Sequence, residues 1–315
     1  MLLGCLSIQA ANDDLITKQI TIKLDKAGTL PDRIASSKKY KITNLKIIGE
    51  INGTDWNMIR EMAGRNYQES STEGNLSVLD LSEAKIVAGG DYYYDDNLFN
   101  NKVYTSNDEI GEYAFAYCSG LTSLTLPVGI TSIGEFAFSG CSGLTSLTLP
   151  AGITSIGEYA FSGCSGLTSL NLPADITSID KYAFSGCSRL TSLTLPAGIT
   201  SIGEFAFSYC SGLTSIYVYA EKVPRIGRYA FEGCASRKCT LYVPKGTYDN
   251  YRLSEFGYFE NIVEFDATGI DKTTTSTDVE EVSRYSLNGQ RLAVPVKGLN
   301  IVKYSDGSVK KVVVL

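Results

Sequence analysis

Between residues 110 and 243 the apolar positions recur every 23 residues, a period far longer than that of a helix or strand. Cys118, Cys141, Cys164, Cys187 and Cys210 keep this spacing without a slip, and residues 144–166 spell one unit, LTSLTLPAGITSIGEYAFSGCSG. A short fixed period marks a solenoid, because one coil cannot bury its own apolar face and must stack on its neighbours. Within each unit LTSLTLP alternates, which predicts a strand. Leu124, Leu147, Leu170, Leu193 and Ile216 then form one inward column, and Leu126, Leu149, Leu172, Leu195 and Val218 a second. Ile133, Ile156, Ile179 and Ile202, with Phe115, Phe138, Phe161, Phe184, Phe207 and Phe231, complete the expected core. Pro127, Pro150, Pro173 and Pro196 end each strand by removing a ladder donor.

The flanks are less regular. Residues 42–48 and 76–81 read as strands around a short helix over 56–63, entered through the turn and N-cap at 52–55. This unit is expected to cap the stack, as solenoid ends require. Residues 88–109 are polar and tyrosine-rich without periodicity, and read as a surface loop. A degenerate coil at 239–244 leads into a second capping segment through 265, and the Thr-rich 271–278 reads as linker. The tail alternates and carries two hairpin turns, Asn288-Gly289 and Asp306-Gly307. The expected layout is a remnant of a secretory signal at 1–10, an N-terminal capping region at 11–109, and the solenoid with its C-terminal cap at 110–268. A linker at 269–280 and a β-hairpin tail at 281–315 follow. The fold class is an α/β-type repeat solenoid of 23-residue coils stacked by short β-strands, with capping units and a small all-β tail.

The outward strand positions carry the candidate chemistry. Ser123, Ser146, Ser169 and Ser192 run beside Thr125, Thr148, Asn171, Thr194 and Tyr217. This hydroxyl-rich, uncharged strip either solvates a β surface or docks a partner. Tyr92, Tyr93 and Tyr94 of the loop are further candidate contacts, able to stack on sugars. Glu112, Glu135, Glu158 and Glu204 form a column interrupted by Lys181 and ended by Arg228, read as structural charge management. The in-register cysteines read as free, buried, small apolar groups, since parallel Cβ vectors near 5 Å apart suit no disulfide and one file of thiols surrounds no tetrahedral ion. Cys234 and Cys239, at the irregular end, could close a bridge.

Composition removes several functional classes. The 315 residues carry a formal charge of −6, which argues against nucleic acid as a partner, and no apolar run is long enough to span a bilayer. Histidine is absent, which removes the commonest general base and every Ser-His or Cys-His nucleophile. No phosphate-binding glycine motif is present, and Asp91, Asp95 and Asp96 in the loop read as solvated acids before calcium ligands. No enzyme, no metal and no cofactor are expected.

The repeat L-T-S-L-T-L-P-x-x-I-T-S-I-G-E-x-A-F-x-x-C-S-G at 121–143 resembles the BspA-type leucine-rich repeat, found in surface and secreted proteins of Bacteroidetes and some mucosal protists. That resemblance implies a leucine-rich repeat fold and an adhesin-like role, with a host extracellular-matrix or bacterial surface protein as partner. The tail, from Tyr285-Ser286-Leu287-Asn288-Gly289 onward, resembles the sorting region of type IX secretion cargo, which implies an extracellular or outer-membrane location. Leu2-Leu3-Gly4-Cys5 resembles a lipobox, which would place a lipid on Cys5, although a sorting tail makes such an anchor redundant. Three roles follow: a binding module that attaches to proteins, a scaffold solenoid without a ligand, or a glycan-binding surface protein.

Overall fold

The computed structural model describes residues 15–95 and 101–267, with the strands Glu281–Ser286, Arg291–Leu292, Gly298–Tyr304 and Val309–Val314 of the tail. Residues 1–10 with Cys5, Asp96, the linker 269–280, and the turns at 288–289 and 306–307 lie outside the described residues.

Each turn of the solenoid has three faces. The first is a short strand, such as Ser146–Thr148 or Ser192–Leu195, paired in parallel with its neighbours at strict one-to-one register: Leu124 opposite Leu147, Leu193 opposite Ile216. The second is a two-residue strand, such as Ser155–Ile156, paired with the same residues of the adjoining coil. It is too short to show an alternating pattern, and only its isoleucine was visible in the repeat. The third is a run of tight turns in which Phe136 N–H donates to Glu158 O (3.0 Å), Phe138 to Ala160 (2.7 Å) and Gly140 to Ser162 (2.7 Å). The aromatic that opens this run sits in the left-handed region in every coil (Tyr113, Phe136, Tyr159, Tyr182, Phe205 and Tyr229, φ 53 to 58°). That conformation costs a side-chain-bearing residue about 1 kcal/mol. Stacking offsets the cost, because the rings form a near-parallel column with centroids 4.5–5.0 Å apart from Tyr113 to Phe205.

The core lies between these faces and contains the anticipated columns. Leu124, Leu147, Leu170, Leu193 and Ile216 are buried, as are the isoleucines and the six phenylalanines; Leu172 is only partly buried. The phenylalanines form a second ring column, 5.0–5.5 Å between centroids.

The cysteines are free and buried. Their thiols are not inert filler, however: Cys141, Cys164, Cys187, Cys210 and Cys234 each donate to the phenylalanine carbonyl of the preceding coil, at 3.0–3.4 Å. The bridge considered between Cys234 and Cys239 does not form. Cys234 is the sixth member of the column, with its Sγ turned to Phe207 O, while Cys239 is buried immediately before the strand Thr240–Pro244. Burial holds the Cys118 and Cys239 thiols above their ordinary value of 9.0, at about 11. A raised acid in the folded state contributes stability that is complete below the unfolded value and lost as pH rises through the folded one. The melting temperature is therefore expected to fall between pH 9 and 11, measured by circular dichroism. A cysteine reagent should leave the native column unmodified at neutral pH and react with it in denaturant.

The caps complete the ladder at both ends. Strands Ile20–Leu24, Asn44–Ile51 and Val78–Ile86 extend the first sheet in parallel. The helix Gly53–Met62 closes with a capping box in which Asn52 Oδ1 accepts from Thr54 N–H and Asp55 from Asn52 N–H. Its far face substitutes for a missing coil: Trp56 Nε1–H donates to Ala114 O (2.9 Å), and Arg60 to Ala114 O (3.0 Å) and Tyr113 O. At the C-terminal end, Thr240–Pro244 and Asn261–Phe265 extend the first sheet, and Phe256 and Phe259 close the phenylalanine column on Phe231. The tail strands form an antiparallel sheet of their own, with Glu281–Ser286 between Arg291–Leu292 and Gly298–Tyr304, and Val309–Val314 outermost.

The segment expected as an aperiodic loop contains a strand pair, Gly89–Asp95 antiparallel to Lys102–Thr105. Its apolar side is built from tyrosines, which a hydropathy pattern does not separate from polar surface. Tyr93 and Tyr94 are 1% and 7% exposed. Tyr93 O–H donates to Glu112 O (2.9 Å), and the Tyr94 ring stacks on Tyr113 at 4.0 Å.

Candidate binding surface

The outward strand residues stand in rows because the coil strands pair one-to-one; the first sheet's one register shift, between Asn44–Ile51 and Val78–Ile86, falls beyond Lys46. One row runs Thr21, Lys46, Asp80, Thr125, Thr148 and a second Asn171, Thr194, Tyr217, Tyr242, Val263. Thr125, Thr148 and Asn171 are exposed, and Thr194 and Tyr217 half-exposed. Beside them Ser146 and Ser169 are exposed and Ser123 and Ser192 half-exposed, with Ser215 Oγ bonded to Ser192 Oγ at 3.1 Å.

The two kinds of outward threonine do different work. Thr145, Thr168, Thr191 and Thr214, at the strand entrance, each donate a hydroxyl to the threonine carbonyl one coil back, at 3.0–3.2 Å, which ties coil to coil. Thr125, Thr148, Asn171 and Thr194 make no side-chain hydrogen bond among the described residues and are free to meet a partner. A flat surface offering unspent donors and acceptors every ~4.8 Å suits repeated polar contact better than catalysis.

The ends of the strip are specialised. At the N-terminal end Lys46 bridges Asp80 (3.3 Å) and Glu83 (2.6 Å), so one cation offsets part of the charge of two carboxylates. Partial burial pushes the Asp80 carboxyl up, but hydrogen bonds from Ser82 and Lys46 outweigh it and hold it below its ordinary value. At the C-terminal end Tyr217 and Tyr242 stack at 4.4 Å, and Phe265 stands edge-on to Tyr217 (6.0 Å) and Tyr219 (5.1 Å). Burial, and then Tyr242, raise the Tyr217 phenol above its ordinary value. Tyr219, Tyr242 and Phe265 were not singled out from sequence, because the coils that hold them depart from the repeat. Aligning 213–219 with 240–244 as strands would have found them.

The tyrosine candidates separate from this strip. Tyr93 and Tyr94 are core residues and cannot stack on a sugar. Tyr92 is half-exposed, packed edge-on against Tyr67 (5.4 Å) and Tyr104 (6.2 Å), with Lys102 4.6 Å above its ring. Asp91 accepts from the Thr54 hydroxyl at 2.9 Å, and no group of three or more Cys, Asp or Glu among the described residues suits a metal ion. Among these residues no helix is long and apolar enough to cross a membrane.

Two parallel sheets in register, a turn-built third face and capped ends define a leucine-rich repeat solenoid. Residues 108–238 match the family described as BspA type Leucine rich repeat region, in 6 copies. Among solved structures, the leucine-rich repeat protein of T. pallidum (TpLRR) is 31% identical, over 44% of this chain and 63% of that one, with a TM-score of 0.41. A leucine rich cell surface protein from Faecalibacterium prausnitzii A2-165 is 22% identical over 66% of this chain and 49% of that one (TM-score 0.34). The pneumococcal vaccine antigen PcpA is 17% identical over 74% and 61% (TM-score 0.40). The chain spans less than two thirds of the length of each. No curated protein matches it.

Proposed function

We propose that this protein is a non-catalytic binding module of the cell surface or the extracellular medium, an adhesin that holds a protein partner along the strand strip. The observation that carries the reading is the row of unspent polar side chains from Thr125 to Thr194, continued by Tyr217 and Tyr242. Neighbouring threonines of the same coils are consumed by coil-to-coil bonds, so the fold distinguishes a structural row from a free one. Interfaces of this kind draw on a few aromatic anchors among many weak contacts, and in this reading Tyr217 and Tyr242 are the anchors. The resemblance of the tail to a type IX sorting region supports export by that route. A glycan-binding role loses two of its three candidate rings to the core.

A surface-binding screen of the full chain against matrix proteins and glycans tests the proposal. With a hit in hand, Thr148→Lys combined with Thr194→Lys is expected to weaken binding at least about tenfold with an unchanged melting temperature. A single Thr→Ala should change it less than about twofold, in line with the near-neutral contacts around an anchor. If Glu135→Lys with Glu158→Lys abolished binding and the strip variants did not, the partner would sit on another face.

A further inference from the structure

The solenoid is finished at its C-terminal end on some layers and left open on others. The first sheet gains two further strands beyond Ser215–Val218, and the phenylalanine column is closed by Phe256 and Phe259. The second sheet stops at Arg225–Ile226, and the outer ring column stops at Tyr229, which is 53% exposed. At the opposite end that same ring column is closed by Tyr94.

The coil-to-coil register states which backbone groups end the ladder without a next coil. Thr200 O and Ile202 O accept from Arg225 and Gly227 N–H, so the corresponding acceptors one coil on are the carbonyls of Pro224 and Ile226. Phe205, Phe207 and Tyr209 N–H donate to Arg228, Ala230 and Glu232 carbonyls, so the corresponding donors are the amides of Tyr229, Phe231 and Gly233. None of these five groups has a hydrogen-bond partner among the described residues; Pro224 and Phe231 are themselves buried, whereas Ile226 is half-buried and Tyr229 and Gly233 are exposed. An open edge of this kind accepts an added strand.

Side chains say what kind of strand. Positions that are serine in earlier coils (Ser132, Ser155, Ser178, Ser201) become Arg225, and the glutamate column becomes Arg228. Both replacements fall on the terminal coil, at the open edge, in a chain whose formal charge is −6. Arg225 and Arg228 are exposed and take part in no salt bridge among the described residues, and the Arg228 guanidinium lies 6.0 Å from the Tyr229 ring centroid. We propose that residues 225–229 form a second binding site, distinct from the strip, which takes an extended acidic peptide segment carrying an aromatic side chain. The peptide extends the second sheet by donating an amide to the Ile226 carbonyl, and accepts from the Tyr229 amide where the edge turns the corner. Its carboxylates meet Arg225 and Arg228, and its ring continues the column over Tyr229. The same arginines deter edge-to-edge pairing of two copies, whose edges would present like charge.

The test titrates the full chain with a capped hexapeptide, Glu-Val-Glu-Tyr-Glu-Val, by calorimetry. Its lysine counterpart (Lys for Glu) and a version N-methylated at alternate amides serve as controls. The acidic peptide should bind, with both controls at least about tenfold weaker, and Arg225→Glu with Arg228→Glu should reverse the preference toward lysine. These two arginines are exposed, so circular dichroism of the variant should match the parent. Tyr229→Gly, which suits the left-handed backbone, should weaken the acidic peptide alone. No binding, equal binding of the three peptides, or indifference to the arginine reversal overturns the proposal. So does sedimentation showing that the parent protein self-associates through this edge.

Discussion

Trp56→Ala is expected to destabilise the N-terminal half of the solenoid by about 4 kcal/mol, while the coils beyond residue 190 keep their protection. The indole is 1% exposed, lies 5.1 Å from the Phe115 ring, and closes the phenylalanine column. Truncating a buried tryptophan costs ~3–5 kcal/mol through lost transfer energy and the cavity left behind. Its Nε1–H also satisfies Ala114 O, so the change removes a donor from the carbonyl row that the first coil presents. Arg60 still reaches that oxygen and keeps the loss from growing further. In a stack where each coil meets only its neighbours, damage stays local until the interface terms fail in sequence. Hydrogen exchange should therefore show the amides of Phe115 and Phe138 opening first and those of Phe207 last. A uniform loss of protection would mean that the array unfolds as one unit.

What the sequence made legible, and what it hid, follows from the period. Where an aliphatic residue, phenylalanine or cysteine repeats at 23, its column and its burial could mostly be read directly, as for Leu147, Ile156, Phe161 and Cys164, whereas the outer column that mixes tyrosine and phenylalanine from Tyr113 to Phe205 was not read. The capping-box turn at Asn52–Asp55 was also readable, because it rests on local backbone chemistry. Groups that serve the ladder by hydrogen bond were not. Nothing in a hydropathy pattern says that Tyr93 O–H, Trp56 Nε1–H and Arg60 will replace the donors of an absent coil. For the same reason the tyrosine segment read as surface when two of its rings are core. On the binding strip, alternation placed Thr125 and Thr148 outward, but which threonines are already bonded depends on the offset between coils. The aromatic end of the strip fell outside the repeat and was missed with it.

The seam in the middle of the solenoid supplies the second large effect, with opposite signs at two sites. The ladders of both sheets are interrupted between coil 144–166 and coil 167–189, although the strand entrance stays bonded there through Thr168 N–H to Thr145 O (3.2 Å) and the turn-built face through Tyr159 N–H to Lys181 O (3.0 Å). Gly134, Gly157 and Gly203 each lie so close to the preceding coil that a Cβ would meet backbone at 2.6–2.8 Å. The equivalent position in the interrupted coil is Asp180. A Cβ in that space would meet the backbone of the coil before, and among the described residues the amides of Thr177 and Asp180 lack the carbonyl partners that Thr200 and Gly203 find. Partial burial, and then Glu158, push the Asp180 carboxyl above its ordinary value. Asp180→Gly should close the seam. Two restored backbone bonds at ~0.5–1.5 kcal/mol each, less ~0.5–1 kcal/mol for glycine entropy, leave a gain of about 1 kcal/mol. Gly203→Asp should open a second seam and cost about 3 kcal/mol, because the obstacle is the backbone of Asp180 and Lys181 and not a mobile side chain. Asp180→Ala separates sterics from charge: it removes the repulsion from Glu158 but keeps the Cβ. Only the glycine variant should slow exchange at the Thr177 amide and raise the melting temperature by a few degrees. If alanine stabilises as much as glycine, the seam is a matter of charge and the Cβ argument fails.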